Sequence, residues 1–403
     1  MRPASLTDPT ATLGDVLRGR RLGCSLPRAL YLRDDVYVAD MELLTGRWIY
    51  AAHVSELAES GNWITAELGP ESAIVVRGED GEIRAFANVC RHRGSRICNE
   101  PAGHATLLVC PYHAWSYRLD GSLRAAREMG PDFDPAAHGL ARLPLAQIGG
   151  LIFVAFGPDP PSLESAAPSL AAMFDLFAWR SARVAMRRSY RVAANWKLAM
   201  ENYQECYHCA PAHPEFALAH ALARPNARAL SYEPDAASGL SDYEAWGPEP
   251  DRSEVARVMR SHLSERYATG SRDGARLAPP MGEGGRRDDG LCVFAELGFL
   301  SAFLAYPDHG LIYRFLPRAP LVTEMEVIWL VDGAARAGCD YDEEELAWLW
   351  DVTTRADKQI IERNQAGVAS RFYQPGPFSL MEPGAAQYVE RYAGELSLLV
   401  GGA

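Results

Sequence analysis

Long apolar runs are missing from this chain of 403 residues. Stretches such as Gly150–Gly157 and Phe299–Tyr306 fall far short of the ~20 residues that cross a bilayer, so no membrane-spanning helix is expected. Basic residues are also scarce: 40 Lys and Arg stand against 52 Asp and Glu, a formal net charge of -12. That balance argues against a nucleic-acid surface, while a local basic docking patch stays open. Met1–Arg20 has neither a secretory apolar core nor a twin-arginine context, so a soluble cytoplasmic protein is expected. In that compartment the eight cysteines read as thiols or metal ligands rather than a disulfide framework. No G-x-G-x-x-G follows a strand-like run, and no bound NAD or FAD is expected. What remains is ordinary globular composition, 48% hydrophobic and 23% charged, at a length that favours two domains.

The pattern along the chain is α+β. An N-terminal arm, 1–45, precedes short β-rich runs at Trp48–Ala52, Trp63–Leu68, Ala73–Arg77, Ile83–Val89, Leu107–Val109 and Leu151–Phe156. Turn chemistry such as Glu79-Asp80-Gly81 and Leu119-Asp120-Gly121 separates them. The proline cluster after Gly157 marks a boundary, giving domains 46–160 and 161–403. The second domain opens with a helix over roughly Asn195–Cys209, followed by a polar Gly/Pro-rich stretch, 225–289, long enough to include a lid. Strand-like runs at Cys292–Leu297, Phe299–Tyr306, Gly310–Leu316 and Val322–Val331 predict an antiparallel sheet. A long helix from Asp342 to Ala369 packs on it, with Asp342 and Glu345 at capping-box spacing.

Cys90-Arg91-His92 ends one strand and Cys110-Pro111-Tyr112-His113 ends another. Two Cys and two His on paired loops suit four-coordinate zinc. They also suit a Rieske cluster, in which two His ligate one iron and two Cys the other. Each loop here offers one Cys and one His, so one loop can span both irons, which favours the cluster. Asn88-Val89-Cys90-Arg91-His92-Arg93-Gly94 with Cys110-Pro111-Tyr112-His113-Ala114-Trp115-Ser116-Tyr117 resembles the fingerprint of Rieske non-haem iron oxygenases. Cys24, Cys98, Cys292 and Cys339 lack comparable partners and read as ordinary thiols. His53, His104, His138, His220, His262 and His309 read as structural or surface residues.

A second constellation lies in Asn195–His213. Glu201, Glu205 and His208 sit at i, i+4 and i+7, one stripe of a helix. His208 and His213 would be about 140° apart on an unbroken helix, and Pro211 between them predicts a break that turns His213 back. Two imidazoles and a carboxylate make the facial triad of non-haem Fe(II) oxygenases. Asp357 is the candidate acid, because it shares a helix face with Leu349, Trp350, Thr353, Ile360 and Ile361. A carboxylate on an apolar face is costly unless it meets a cation. A satisfied core network, or a zinc site joining Cys206 and Cys209 to His208, stays open on spacing alone.

This segment resembles the catalytic helix of Rieske oxygenase α-subunits, and the likeness runs from about Leu26 to Tyr373. The resemblance implies a β-rich [2Fe-2S] domain and a helix-grip-like catalytic domain whose mononuclear Fe(II) activates O₂. It also implies a homotrimer and a separate flavin and iron–sulfur reductase as electron donor. Glutamate at 205, where many members carry aspartate, is similar to the branch that oxidises carnitine, glycine betaine and stachydrine. By that likeness Glu205 would link His113 of one subunit to His208 of the next. N-demethylation of a quaternary ammonium is the expected reaction, with aromatic ring or side-chain hydroxylation as the alternative. A non-catalytic Rieske electron carrier is a third reading. A cationic substrate wants aromatic faces, and the candidate walls are Tyr203, Tyr207, Phe299, Phe303, Tyr306 and Trp329.

Overall fold

The structure, a computed structural model, describes residues 11–164, 167–220, 243–244, 256–287 and 290–401. Antiparallel pairing organises the first half. A five-stranded sheet runs Ala102–His104, Asn62–Leu68, Glu71–Arg77, Ile83–Ala87, Arg142–Leu143. Beside it lies a small three-stranded sheet of Leu108–Val109, Ser116–Tyr117 and Leu123–Ala125. Successive side chains of a strand point to opposite faces. Ile74 and Val76 accordingly pack under Cys90, Cys110, Trp115 and Tyr117, while Ala73 and Val75 join the main core. Gly121 turns at φ +89°, and a Cβ there would lie 2.4 Å from the Phe86 ring, so both conformation and space exclude a side chain.

The second half is built on a seven-stranded antiparallel sheet, in order Arg183–Val192, Val322–Val331, Gly310–Ala319, Ser301–Ala305, Leu291–Leu297, Ala256–His262, Tyr243–Glu244. Its central strands are buried on both faces, which explains their largely apolar sequence; the buried charges Arg314 and Glu326 pair with each other. Phe303, Ala305, Ile312, Ile328 and Leu330 face one way, onto Phe174 and Trp179. Tyr50 and Phe153, from a three-stranded sheet of Ile49–His53, Leu151–Val154 and Leu145–Ile148, cover the same side. Leu304, Tyr306, Leu311, Tyr313, Phe315 and Trp329 face the other way, in the cluster that also holds Leu349 and Trp350 of the long helix. Among the described residues no helix is long and apolar enough to cross a membrane.

The long helix spans Glu343–Val368, and the Asp342 side chain caps it by accepting from the backbone N–H of Glu344 and Glu345. A further helix, Pro383–Gly401, follows it and packs against Asp34–Thr45 and Trp196–Tyr203. At that crossing the buried Asp40 accepts from Lys197 Nζ, from Trp196 Nε1 at 3.0 Å and from Tyr392 Oη at 2.6 Å. Two expectations need correction. The helix expected over Asn195–Cys209 stops at Tyr203, and the chain re-enters helix only at Cys209–Ala212 and Pro214–Ala219. Glu201, Glu205 and His208 therefore share no helical stripe, and Pro211 sits inside a short helix rather than at the break. The described parts of 225–289 include the strand Ala256–His262, which pairs with Leu291–Leu297, and the helix Gly282–Arg286. The lid reading for the rest of that stretch falls on residues outside the described ones.

Candidate metal centres

Two loops of matching construction meet at the edge of the first half. In each, the cysteine carbonyl accepts from the backbone N–H four residues on: Gly94 to Cys90 and Ala114 to Cys110, both at 3.0 Å. Gly94 and Ala114 both take left-handed φ, +78° and +57°. For alanine that conformation is unfavourable, and such strain collects at functional sites. Asn88 braces the first loop, its Oδ1 accepting from the N–H of Ile97 and Cys98 and its Nδ2 donating to Ser72 Oγ and Cys98 O. Cys90 and Cys110 are buried, whereas His92 and His113 are exposed. The two imidazoles turn Nδ1 toward each other at 3.2 Å, and the His92 ring stacks on Trp115 at 4.8 Å. Buried thiols on one side and paired imidazole nitrogens on the other fit a cluster with one sulfur-held and one histidine-held iron.

The second set forms where the ligand segment meets the long helix. His208 Nε2 and His213 Nε2 lie 3.2 and 3.0 Å from Asp357 Oδ1. Metal–ligand bonds of about 2.1 Å meeting at right angles leave neighbouring donors about 3 Å apart. Both ring nitrogens of His213, and Asp357 Oδ1, are shut off from solvent without a hydrogen-bonding partner. Three donor atoms this close, with His213 Nε2 and Asp357 Oδ1 lacking any other partner, fit a divalent cation. Burial alone would lower the His208 imidazole, but Asp357 and Glu205 outweigh it and lift its pKa to about 9. Burial would likewise raise Asp357, and the two histidines instead hold its carboxyl below the usual range. This much negative charge around imidazoles asks for a bound cation.

His208 Nδ1–H donates to Glu205 Oε1 at 2.5 Å, which fixes the tautomer and leaves Nε2 as the acceptor edge facing Asp357. Glu205 Oε2 also accepts the backbone N–H of Tyr207 and of His208, so the carboxylate is held from two sides. Asn202 Nδ2 donates to His208 Nε2 at 3.2 Å, a neighbour that spacing did not point to. His213 lies outside the helical region, at φ -144° and ψ 78°, with Pro214 opening the next helix. Cys209 Sγ comes within 4.8 Å of the ligand nitrogens of His208 and His213. It is tied to Cys206 in a disulfide, however, against the expectation of thiols, and a bonded sulfur is a poor third ligand.

The aromatic walls divide. Tyr203 packs its ring on Tyr313 at 5.4 Å and Phe315 at 5.3 Å. Tyr306 lies 6.5 Å from Trp350, and Trp329 is buried on the same side of the sheet. Phe303 points to the opposite side of the sheet, among Tyr50, Phe153 and Phe174, because it is one residue out of phase with Ala302 and Leu304. Phe299 packs between Trp196 and Tyr388, with the Arg391 guanidinium 4.1 Å above its ring. Tyr207 is 56% exposed at the surface. None of these three has a ring contact with His213. Phe216 does, and was missed: it lies 5.4 Å from His213 and 5.2 Å from Trp350. Trp350 already shared the helix face of Asp357, so its periodicity was the available signal.

Comparison with known proteins agrees with this anatomy. The family model described as the Rieske [2Fe-2S] domain matches residues 47–145, and that of the ring hydroxylating alpha subunit (catalytic domain) matches 179–397. The glycine betaine monooxygenase oxygenase subunit of Chromohalobacter salexigens is 35% identical over 418 residues, covering 97% of this chain and 91% of the relative. The same subunit from Pseudomonas aeruginosa is 33% identical over 415 residues, covering 96% and 94%. The crystal structure of the quaternary ammonium Rieske monooxygenase CntA with an inhibitor shares the fold at TM-score 0.73 and 23% identity, covering 95% of this chain and 98% of that one. A cluster domain alone would not match a catalytic-domain model, so the electron-carrier reading falls. This chain belongs to the ring-hydroxylating α-subunit family and is a Rieske-type oxygenase.

Proposed function

We propose that the protein is the O₂-dependent terminal component of an N-demethylating system acting on a small betaine-type quaternary ammonium. Cys90, His92, Cys110 and His113 would hold the [2Fe-2S] cluster, and His208, His213 and Asp357 the mononuclear Fe(II). Held there, the two groups would supply electron storage and O₂ reduction for the insertion of one oxygen atom into a substrate C–H bond. The protein's own part is to fix geometry. Glu205 orients His208, the left-handed turns at Gly94 and Ala114 shape the cluster loops, and aromatic faces hold a cation without desolvating an ion pair. The resulting N–CH₂OH cation loses formaldehyde and a proton, leaving a tertiary amine. The observation that carries the reading is the near full-length similarity to glycine betaine monooxygenase oxygenase subunits.

The exposed His113 and the half-buried Glu205 support electron transfer between copies of the chain in a head-to-tail homotrimer. Inter-subunit electron transfer is described for CntA. The division into 1–45, 46–160 and 161–403, a separate NAD(P)H-dependent flavin and iron–sulfur reductase, and a cytoplasmic location belong to the same proposal. The test supplies a compatible reductase and measures substrate-dependent O₂ uptake with formaldehyde. Formaldehyde from a betaine in the wild type, and none from His213→Ala with its cluster absorbance intact, is expected. Hydroxylated aromatic acids without formaldehyde from any methylated amine would overturn the demethylase reading.

A further inference from the structure

The two imidazoles of the cluster loops lean on different rings. His113 lies 3.8 Å from the ring of Tyr112, and the Arg93 guanidinium stands 5.6 Å from that tyrosine. His92 instead stacks on Trp115, at 4.8 Å and only 12° from parallel. Trp115 is buried, and it meets Phe133 at 5.5 Å and His138 at 5.8 Å. Phe133 and His138 pack on each other at 4.5 Å and are half-buried. Four rings therefore run in unbroken contact from a candidate cluster ligand to the surface. The exposed Nδ1 edges of His92 and His113 are only 3.2 Å apart, so a copy of the chain docked on His113 also crowds His92. The path through Trp115 leads out on another side.

The outer rings belong to the loop 128–138. Met129 is 39% exposed, and Pro131 and Pro135 are exposed with it. Glu128, Asp132 and Asp134 are exposed in the same loop, which holds no Lys or Arg, although Arg124 and Arg127 stand just before it. An apolar centre with a charged rim is the composition of a protein-docking patch. Glu128 also holds a left-handed φ of +54°, strain of the kind that collects at functional sites. Three carboxylates call for a basic face on the partner. Resting on the reading that a separate reductase supplies the electrons, we propose that this reductase docks on the loop 128–138 and that Phe133 and Trp115 carry the electron to His92. Electronic coupling falls steeply across empty space and more slowly through packed atoms, so a donor seated on Phe133 is joined to the cluster by contact. Each transfer moves one electron: the reductase's iron–sulfur centre is oxidised by one and the [2Fe-2S] cluster reduced by one, with no bond made or broken. Entry by His92 and exit by His113 then use different sides of the cluster, and the donor does not compete with the neighbouring copy for one surface.

The test is anaerobic stopped-flow mixing of the cluster-loaded protein with an NADH-reduced flavin and iron–sulfur reductase that supports O₂ uptake by the wild type. Bleaching of the cluster absorbance is followed, dithionite replaces the reductase in a parallel run, and calorimetry gives the affinity of the two proteins. In Asp132→Lys the bimolecular rate should fall about 10-fold at low ionic strength, and the gap should close as salt rises. Phe133→Ala should weaken reductase binding about 10-fold and also lower the limiting rate at saturating reductase. Both variants should keep the cluster absorbance and the bleaching by dithionite, which needs no docking. Rates and affinities within about twofold of the wild type in both variants would overturn the docking site. The demethylase reading would survive that result, since formaldehyde decides it. A fall in sedimentation mass in place of slower reduction would give the loop to a second copy of the chain and overturn the proposal as well.

Discussion

Glu201 and Glu205 are four residues apart and have opposite surroundings. Glu205 sits beside His208 and orients it, so Glu205→Ala should lower turnover about 10- to 100-fold, with the cluster spectrum unchanged and less mononuclear iron retained after dialysis. Glu201 is buried against Tyr31 Oη, at 2.8 and 3.0 Å from its two oxygens, and burial raises its pKa to about 8. The unfolded chain releases this proton near the ordinary carboxylate value and the folded chain keeps it. Stability therefore falls with rising pH between about 4.5 and 8, by about 1 kcal/mol per pH unit from this group. Glu201→Gln should abolish that slope, so its denaturation midpoint should gain on the wild type across the window. A parallel pair of pH curves would show that the carboxyl is not titrating late. Spacing alone could not separate these two glutamates, since an unbroken helix would have put them on one stripe.

At the level of elements, the long helix was legible almost to the residue. A capping aspartate, three glutamates in the first turn and an apolar stripe all point the same way. Asp342→Ala removes two capping bonds and should cost about 1 kcal/mol, read as a lower thermal midpoint, with Asp357 some four turns away keeping its place. The cluster loops were legible for a similar reason: each is a short local turn that carries its own Cys and His. The sheet faces were not. Phe303 and Leu304 are both fully buried, so the alternation that normally marks an inner face is erased, and no pattern tells which ring faces the helix. The closing helix Pro383–Gly401 also escaped notice. The break after Tyr203 was hidden because Gln204–His208 holds no glycine or proline.

In the whole molecule, distant segments are joined by buried polar contacts. Asp40 of the helix Asp34–Thr45 neutralises Lys197, near the start of the ligand segment, and also receives Tyr392 from the closing helix. Asp40→Ala strands a buried ammonium and should cost about 3–5 kcal/mol, while the double change Asp40→Leu with Lys197→Met should recover much of it. Denaturant midpoints of the two variants decide this, and an equal loss in both would mean that packing, not charge, dominates there. Behind the large sheet, Tyr50 and Phe153 sit 6.4 and 6.0 Å from Phe303. The chain that carries the cluster loops thus also covers one face of the large sheet in the catalytic half. Any exchange of one half alone would therefore have to bring matching partners for Phe303, because its ring is enclosed by side chains from both halves.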